Sequence, residues 1–276
     1  MNKTWFVTGC SSGFGEAIAR EALAQGDRVV ATARNPDTLR DLARDRDGAC
    51  LTLALDVSSR EQLADAVRAT HARFGAVDVL VNNAGQGLVT SVEEASDADV
   101  RSVFELNFFS LVAVTRAFLP RMRERGSGHI INMSSIGGLV GRAGSGYYAA
   151  SKFAVEGFSE SLSQEIKPFG MRVTLVEPAG FRTRFASAMR RGEAGVYQDV
   201  ADRLAQIDAN MDRTPGDPVQ AAKAIAAIAG RADAPLRLPL GKGAVDTFER
   251  KLKMLQVDLD AGRETALACD FDAGSR

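Results

Sequence analysis

The feature that narrows this chain most is its opening: an apolar run, Lys3 to Thr8 (KTWFVT), stops on Gly9 and passes through Gly13 and Gly15 into a helical pattern reaching Ala24. The run reads as a buried strand and the glycines as a tight strand-to-helix turn. The same unit then recurs. Arg28 to Ala33 (RVVATA) is a second strand after Gly26, which ends the first helix. Asn35-Pro36-Asp37 supplies an N-cap, an N1 proline and a first-turn acid for a helix to about Asp45. Ala49 to Leu55 is the third strand, followed by a helix from near Ser59 to Phe74, and Val77 to Val81 is the fourth. A long helical stretch spans about Asp97 to Arg125; His129 to Met133 is strand five; a helix runs from Tyr148 to about Lys167. Arg172 to Glu177 and Leu236 to Leu240 are strands six and seven. Strands alternating with helices over short links specify an α/β fold. The expectation is a doubly wound, Rossmann-like parallel sheet of about seven strands, order 3-2-1-4-5-6-7, with helices on both faces. The C-terminal ends of strands one, four, five and six then converge on one crevice.

Length and composition exclude several classes. The 276 residues suit a single domain, 1–276, with no internal repeat, low-complexity tract or separating linker. A net charge of -1 gives no general attraction to nucleic acid or to an anionic membrane. Cys10, Cys50 and Cys269 are odd in number with no CxxC, which argues for reduced thiols in a cytosol and against a disulfide framework or a zinc site. His71 and His129 stand in unrelated contexts, so neither a histidine triad nor a metal centre is expected. The N-terminus lacks the apolar core of a signal peptide and no run of about 18 apolar residues occurs, so the expected location is cytoplasmic.

Chemistry concentrates at the ends of the predicted strands. Gly9-x-x-x-Gly13-x-Gly15 at the first strand-to-helix crossing lets the backbone approach a pyrophosphate at the helix N-terminus, against the plainer reading of a tight turn with no ligand. Dinucleotide folds place an acid for a ribose hydroxyl, or an arginine for a 2′-phosphate, about 20 residues further on. Asp37 is accounted for by its helix, which leaves Arg34 and favours NADP over NAD. Asp56 has two readings, an acceptor for an adenine amino group or a cap for the helix near Ser59, and spacing favours the cap. Asn82-Asn83-Ala84-Gly85 ends strand four with small and amide residues suited to close backbone approach. Asn107 is an amide amid apolar neighbours and needs a partner. Ser135 leaves strand five; Tyr148 follows thirteen positions later and Lys152 four further on. On a helix the last two share a face, and a fixed cation beside a phenol favours phenolate, so the tyrosine can exchange a proton with a substrate oxygen that Ser135 holds. YxxxK alone is more often an aromatic and a solvated lysine, and the adjacent Tyr147 can be simple packing.

Together, Thr8-Gly9-x-x-x-Gly13-x-Gly15, Asn82-Asn83-Ala84-Gly85, Asn107, Ser135 and Tyr148-x-x-x-Lys152 resemble the short-chain dehydrogenase/reductase family over about residues 3 to 185. The resemblance implies a nicotinamide-dependent oxidoreductase with Tyr148 as general acid in reduction, Lys152 lowering its pKa and holding the nicotinamide ribose, Ser135 positioning the carbonyl and Asn107 holding a relay water. Ser134 is the rival for the serine role. The implied cofactor contacts are Gly9, Ser11, Ser12, Gly13, Phe14 and Gly15 at the turn; Arg34 as NADP selector; Asp56 as the adenine contact, with Val57; Asn83, Ala84 and Gly85; Tyr148 and Lys152; and Pro178, Ala179, Phe181 and Thr183 after strand six. Pro178-Ala179-Gly180 departs from the family's usual Pro-Gly.

The implied reaction is hydride transfer between nicotinamide and a carbonyl or secondary alcohol. A segment at about 181–218, rich in apolar residues such as Phe185, Met189, Ile207 and Met211, is expected as a substrate lid, which favours a lipophilic ketone or aldehyde. The alternatives are a non-catalytic dinucleotide-sensing or scaffold protein of the same fold, and an epimerase or dehydratase, for which too few C-terminal residues remain. Surplus apolar positions on the helices at 97–125 and 148–167 point to a homodimer or homotetramer. Val245, Phe248, Leu252, Leu255 and Leu259 step by three and four, so about 244–276 should form an amphipathic helix, packed by default on its own domain.

Overall fold

Alternation of side chains across a parallel sheet decides where each part of this chain goes. The computed structural model describes residues 2–44, 48–210 and 213–270. The expected end of the second helix at Asp45, Met211 of the expected lid and residues 271–276 of the tail lie outside them. β1 (Thr4–Val7) leads into α1 (Gly13–Ala24), β2 (Arg28–Ala33), the short α2 (Arg40–Ala43) and β3 (Cys50–Ala54). α3 (Arg60–Phe74), β4 (Val79–Asn82), β5 (Leu88–Val89), α4 (Asp97–Phe104) and α5 (Ser110–Arg125) follow. β6 (Gly128–Met133), α6 (Gly146–Ile166), β7 (Met171–Pro178), β8 (Arg190–Arg191), α7 (Gln198–Asn210), α8 (Pro218–Ala229), β9 (Arg237–Leu240) and α9 (Lys242–Leu267) complete the order.

Seven strands form one parallel sheet in the order β3-β2-β1-β4-β6-β7-β9, which is the expected topology. The two extra strands, β5 and β8, pair with each other in a separate sheet of two residues each, too short for any periodicity to announce them. Successive residues of β1 point to opposite faces: Trp5 and Val7 pack with Ile18, Ala22 and Ile225, and Phe6 packs with Leu63, Val114 and Phe118. Both faces are thus apolar, as a sheet covered by helices on each side requires.

Local signals act as the sequence implies. Asn35 accepts from Asp37 N at 3.0 Å and Ser59 from Gln62 N at 3.3 Å, each capping a helix start. The helical stretch at 97–125 is continuous but carries a π turn, Glu105–Phe109, around Asn107. By length and composition this stretch is apolar enough to cross a membrane, contrary to the expectation from the sequence, yet its inner face at Val103, Leu111, Val114, Phe118 and Met122 is buried in the protein.

The tail corrects a second expectation. α9 is a helix, but only Ala244 and Thr247 of it are buried, and Leu252, Leu255 and Leu259 face solvent instead of their own domain. The reason is directional: after β9 closes the sheet edge, α9 is held only near its first turns, and its later turns run past the body.

Phe118 is 1% exposed and its ring centroid lies 4.5 Å from that of Phe6. Phe118→Ala should cost about 3–5 kcal/mol in urea unfolding, as a buried aromatic deletion leaves a cavity; a loss under about 1 kcal/mol would show that α5 does not anchor this face.

Candidate active site

Close backbone approach creates the first wall of the site. Gly9 has φ +72, and a Cβ on Gly15 would stand 2.2 Å from the Gly9 carbonyl oxygen, so the turn closes only with glycine there. Thr8 and Asn83 lock it. Thr8 Oγ1 accepts from the main-chain N–H of Asn83 at 2.9 Å and of Ala84 at 3.0 Å, and the Asn83 amide donates to the carbonyls of Thr8 at 2.8 Å and Gly9 at 3.0 Å. The glycine turn and the end of β4 therefore form one rigid edge. α1 begins after Ser12, whose backbone is extended and whose side chain caps nothing, leaving the first-turn N–H groups without a side-chain partner. A turn that admits no Cβ beside an uncapped helix N-terminus fits a pyrophosphate.

This edge opens on a cleft of about 810 Å³. Of the residues read from the sequence, Gly9, Ser11, Ser12, Gly13, Phe14, Arg34, Asp56, Val57, Asn83, Ala84 and Gly85 line it, as do Ser135, Tyr148, Lys152, Pro178, Ala179, Phe181 and Thr183. Gly15 and Asn107 do not: Gly15 spaces the turn from behind. Arg34 is exposed at the lip, whereas its rival Asp37 is bound to Arg40 at 2.7 Å and stands away from the cleft. Asp56 accepts from the Ser58 hydroxyl at 2.7 Å and main chain at 3.0 Å, and these bonds hold its carboxyl below the usual range. It is not the cap; Ser59 is. Ala179 continues the β7 ladder, its N–H donating to Leu240 O at 3.1 Å, so the residue in place of the family's glycine is held as strand backbone.

The second wall is the end of β6 and the start of α6, which begins at Gly146, two residues before Tyr148. Lys152 is buried, and its Nζ donates to Met133 O at 2.7 Å. Ser135 accepts from Gly137 N at 3.0 Å, which turns its hydroxyl toward the cleft beside Tyr148. Ser134, the rival serine, is buried and donates instead to Glu156, away from the cleft centre. Tyr147 bonds Val92 O at 2.9 Å and is a packing residue, while the Tyr148 ring lies against Phe185 with centroids 6.0 Å apart.

One expectation changes here. The phenol of Tyr148 is not lowered by Lys152: burial pushes it up to about 12, and the Ser135 hydroxyl pulls in the other direction. Burial in turn pulls the Lys152 ammonium down to about 8, opposed by the nearby Glu156 carboxylate. At neutral pH Tyr148 is therefore a protonated phenol beside a cation. Asn107 stands on the nearby π turn. Its amide donates to Gln86 O at 2.9 Å and Ser151 Oγ at 3.0 Å, and its oxygen accepts from Gln86 N at 2.8 Å. With both amide hydrogens so engaged, the side chain fixes Gln86 and α6.

Behind Lys152 lies a group the sequence reading missed. Glu156, one turn further along α6, accepts from Ser134 and from Arg237 at 2.9 Å; Arg237 also reaches Glu160 at 2.8 Å, and its Nε stands 3.3 Å from Glu177. Glu177 is fully buried with no well-formed hydrogen bond to either oxygen among the described residues. Burial and the charge of Glu156 push it up to about 8 despite Arg237. The spacing Lys152 to Glu156 could have flagged the first of these; no local signal joins Glu177 to Arg237, sixty positions away. Cys10, beneath the turn, is buried, and burial pushes its thiol up to about 12, away from the thiolate form.

The expected lid is a built segment. β8 pairs with β5, Arg190 binds Asp99 at 2.6 Å, and Gly192 N donates to Val89 O at 2.9 Å, so α7 is carried on an anchored arm over the cleft. From it and the neighbouring loops, Val89, Ile136, Val140, Phe185, Met189 and Ile207 give the cleft an apolar lining.

Comparison with known proteins bears on the family and the fold. The family model described as short chain dehydrogenase matches residues 3–194. The chain is 36% identical over 278 residues to the oxidoreductase BOA17 of Botryotinia fuckeliana (97% of this chain, 99% of the relative). It is 38% identical over 239 residues to 3-ketodihydrosphingosine reductase of Bacteroides thetaiotaomicron (85% and 86%). A short-chain dehydrogenase from Streptomyces avermitilis superposes with TM-score 0.91 at 40% identity, covering 98% of this chain and 100% of the other. A Burkholderia phymatum short-chain dehydrogenase/reductase in complex with NAD gives 0.83 at 26% identity (93% and 95%), and a serine dehydrogenase complexed with NADP+ gives 0.75 at 30% (86% and 94%).

Because Glu177 has a folded value above its ordinary 4.5, its contribution to stability is full below that pH and is lost as pH rises through about 8. Glu177→Gln should therefore gain melting temperature relative to the parent between about pH 5 and 9. A difference that stays constant or shrinks with pH would contradict the buried carboxyl.

Proposed function

The chain belongs to the short chain dehydrogenase family and is an oxidoreductase fold for a nicotinamide dinucleotide; from that premise we propose that it is an NADP(H)-dependent reductase of lipophilic ketones or aldehydes, running also in the alcohol-oxidising direction. One observation carries the reading: Ser135, Tyr148 and Lys152 line the same cleft as the glycine turn that fits a pyrophosphate. When bound, the dinucleotide supplies the hydride chemistry at its nicotinamide carbon. The protein's residues do the rest. The first turn of α1 and the Gly9–Gly13 backbone would hold the pyrophosphate, Arg34 the 2′-phosphate, and Asp56 with Val57 the adenine side.

Ser135 donates a hydrogen bond to the substrate carbonyl oxygen and fixes its direction. Tyr148, protonated at neutral pH, gives its proton to that oxygen as negative charge grows there, and Lys152 keeps a positive field beside the phenolate that remains. Asn107 acts as a positioning residue through Gln86 and Ser151. NADP is favoured over NAD because Arg34 faces the cleft while Asp37 is engaged with Arg40. A lipophilic substrate is favoured by the apolar lining under the arm that carries α7, and one relative bears the name of a ketone reductase, 3-ketodihydrosphingosine reductase. A cytoplasmic, homo-oligomeric protein remains part of this reading.

Purified protein, NADPH or NADH, and a series of medium- and long-chain ketones and aldehydes test it by loss of reduced-cofactor absorbance. Turnover should favour NADPH and the longer chains, and Tyr148→Phe should lower kcat at least about 100-fold while NADPH still binds. Undiminished reduction by Tyr148→Phe would remove the assignment, and equal use of NADH would remove the cofactor preference.

A further inference from the structure

The charges lining the cleft do not balance: six basic side chains face it against two acidic ones, Asp56 and Glu105. Four of the basic ones are accounted for. Arg34 stands with Asp56 at the adenine side, Lys152 is held by Met133 O at 2.7 Å, and Arg190 is paired with Asp99 at 2.6 Å. Arg184 follows Thr183, whose side chain lies against Gly13, so it belongs to the glycine turn. Arg142 and Arg203 remain, and neither side chain has an ion pair or a hydrogen bond among the described residues.

The fold holds these two arginines together. Val200 and Arg203 share a face of α7 and both pack on Gly144, where a Cβ would stand 3.2 Å from Val200 Cγ1 and 3.8 Å from Arg203 Cγ. Gly144 has φ +75, and its carbonyl accepts from Thr90 N at 2.9 Å. Earlier in the same loop, Arg142 O accepts from the Ser145 hydroxyl at 2.9 Å and main-chain N–H at 3.0 Å. Both side chains therefore rise from anchored backbone. Arg203 is half-buried, and its Nε is buried without an acceptor among the described residues. Burial pulls its pKa down and the charge of Arg142 adds to this, with no carboxylate opposing. A charged donor left so costs free energy that an anion would restore. The cofactor is not that anion: Arg34 and Asp56 follow β2 and β3, Arg142 follows β6, and β1 and β4 lie between in the sheet. Ile207 stands one turn beyond Arg203 and Val140 two residues before Arg142, so the charged pair borders the apolar lining.

We propose that Arg142 and Arg203 form an anion subsite at the α7 end of the substrate cleft, which takes a carboxylate or phosphate head group while the substrate's chain lies on the apolar lining. This rests on the reductase reading and makes the substrate an anionic amphiphile with its carbonyl at Tyr148. Guanidinium forks match the oxygens of either head group, whereas a neutral lipid would leave both unanswered.

Reduction of ω-oxo carboxylic acids and of their methyl esters with NADPH, at matched chain length, reads the subsite as a ratio of kcat/KM. The parent should favour the acid at least about 10-fold. Arg203→Met, which keeps an apolar stem on Gly144, and Arg142→Gln should each lower that ratio at least about 5-fold through the KM of the acid, and Arg203→Lys should restore part of it. Calorimetric titration of the NADPH-bound protein with a saturated alkyl carboxylate, an alkyl phosphate and the matching alkanol removes turnover and tells the two head groups apart. One or both anions should bind at least about 10-fold tighter than the alkanol, and Arg203→Met should abolish the difference. Esters reduced as well as acids, with no preference for either anion in the titration, would overturn the subsite and leave the reductase reading standing. Arginine-dependent anion binding with no carbonyl compound turned over would support the subsite and remove the reductase reading. Equal losses for acid and ester in Arg203→Met would assign that residue to packing of α7, and an NADPH Kd raised as much as the acid's KM would assign the pair to the cofactor; either result overturns the proposal.

Discussion

A single buried contact, the Lys152 ammonium on the Met133 carbonyl at 2.7 Å, fixes the geometry on which the site depends. Met133 is the last residue of β6 and Ser135 stands two residues beyond it; Tyr148 stands one turn before Lys152 on α6. Tying the lysine to the strand end therefore sets the serine hydroxyl and the phenol against each other. A lysine taken out of water loses hydration that one carbonyl only partly replaces, which is why its proton is held less tightly than usual. The neighbouring Glu156 offsets part of that cost and is itself held by Ser134 and Arg237.

The other wall of the cleft follows the same logic with neutral groups. The buried amide donors behind it are paired: Asn82 donates to Thr115 and Asn132, Asn132 to Ser159, and Asn107 clamps Gln86 and Ser151, while Asn82 Oδ1 and Ser110 Oγ make no hydrogen bond among the described residues. Buried polar networks of this kind are costly if incomplete and rigid if complete. They hold the backbone of the glycine turn, the end of β4 and the start of α6 in fixed relation, which is what positioning a reacting carbon against a proton donor requires.

Much of this was readable from residue order because it rests on local signals. The glycine turn, the Asn35-Pro36-Asp37 start and the alternating apolar runs each depend on neighbours in sequence, and α1 and β2 fall where those signals put them. What escaped depends on distance in space. Glu177 and Arg237 meet only because β7 and β9 are adjacent, and β5 pairs with β8 across a hundred residues with two residues apiece. Burial also reverses an electrostatic inference drawn from spacing. Lys152 does stand one turn from Tyr148, yet removing the phenol from water outweighs the charge effect and raises its pKa. The three-four spacing in α9 was visible from the start, but only the fold showed that its own domain leaves the leucines uncovered.

Proton transfer beside a charged Lys152 is the claim on which the proposed chemistry turns, and the pH dependence of kcat/KM for ketone reduction addresses it most directly, since that ratio reports the free enzyme. The parent should lose activity as pH rises through about 8, where Lys152 gives up its proton while Tyr148 keeps its own. Lys152→Arg, always charged, should show no such limb in its normalised profile. A parent profile flat through that range, or the same alkaline limb in the arginine variant, would show that the lysine's charge plays no part.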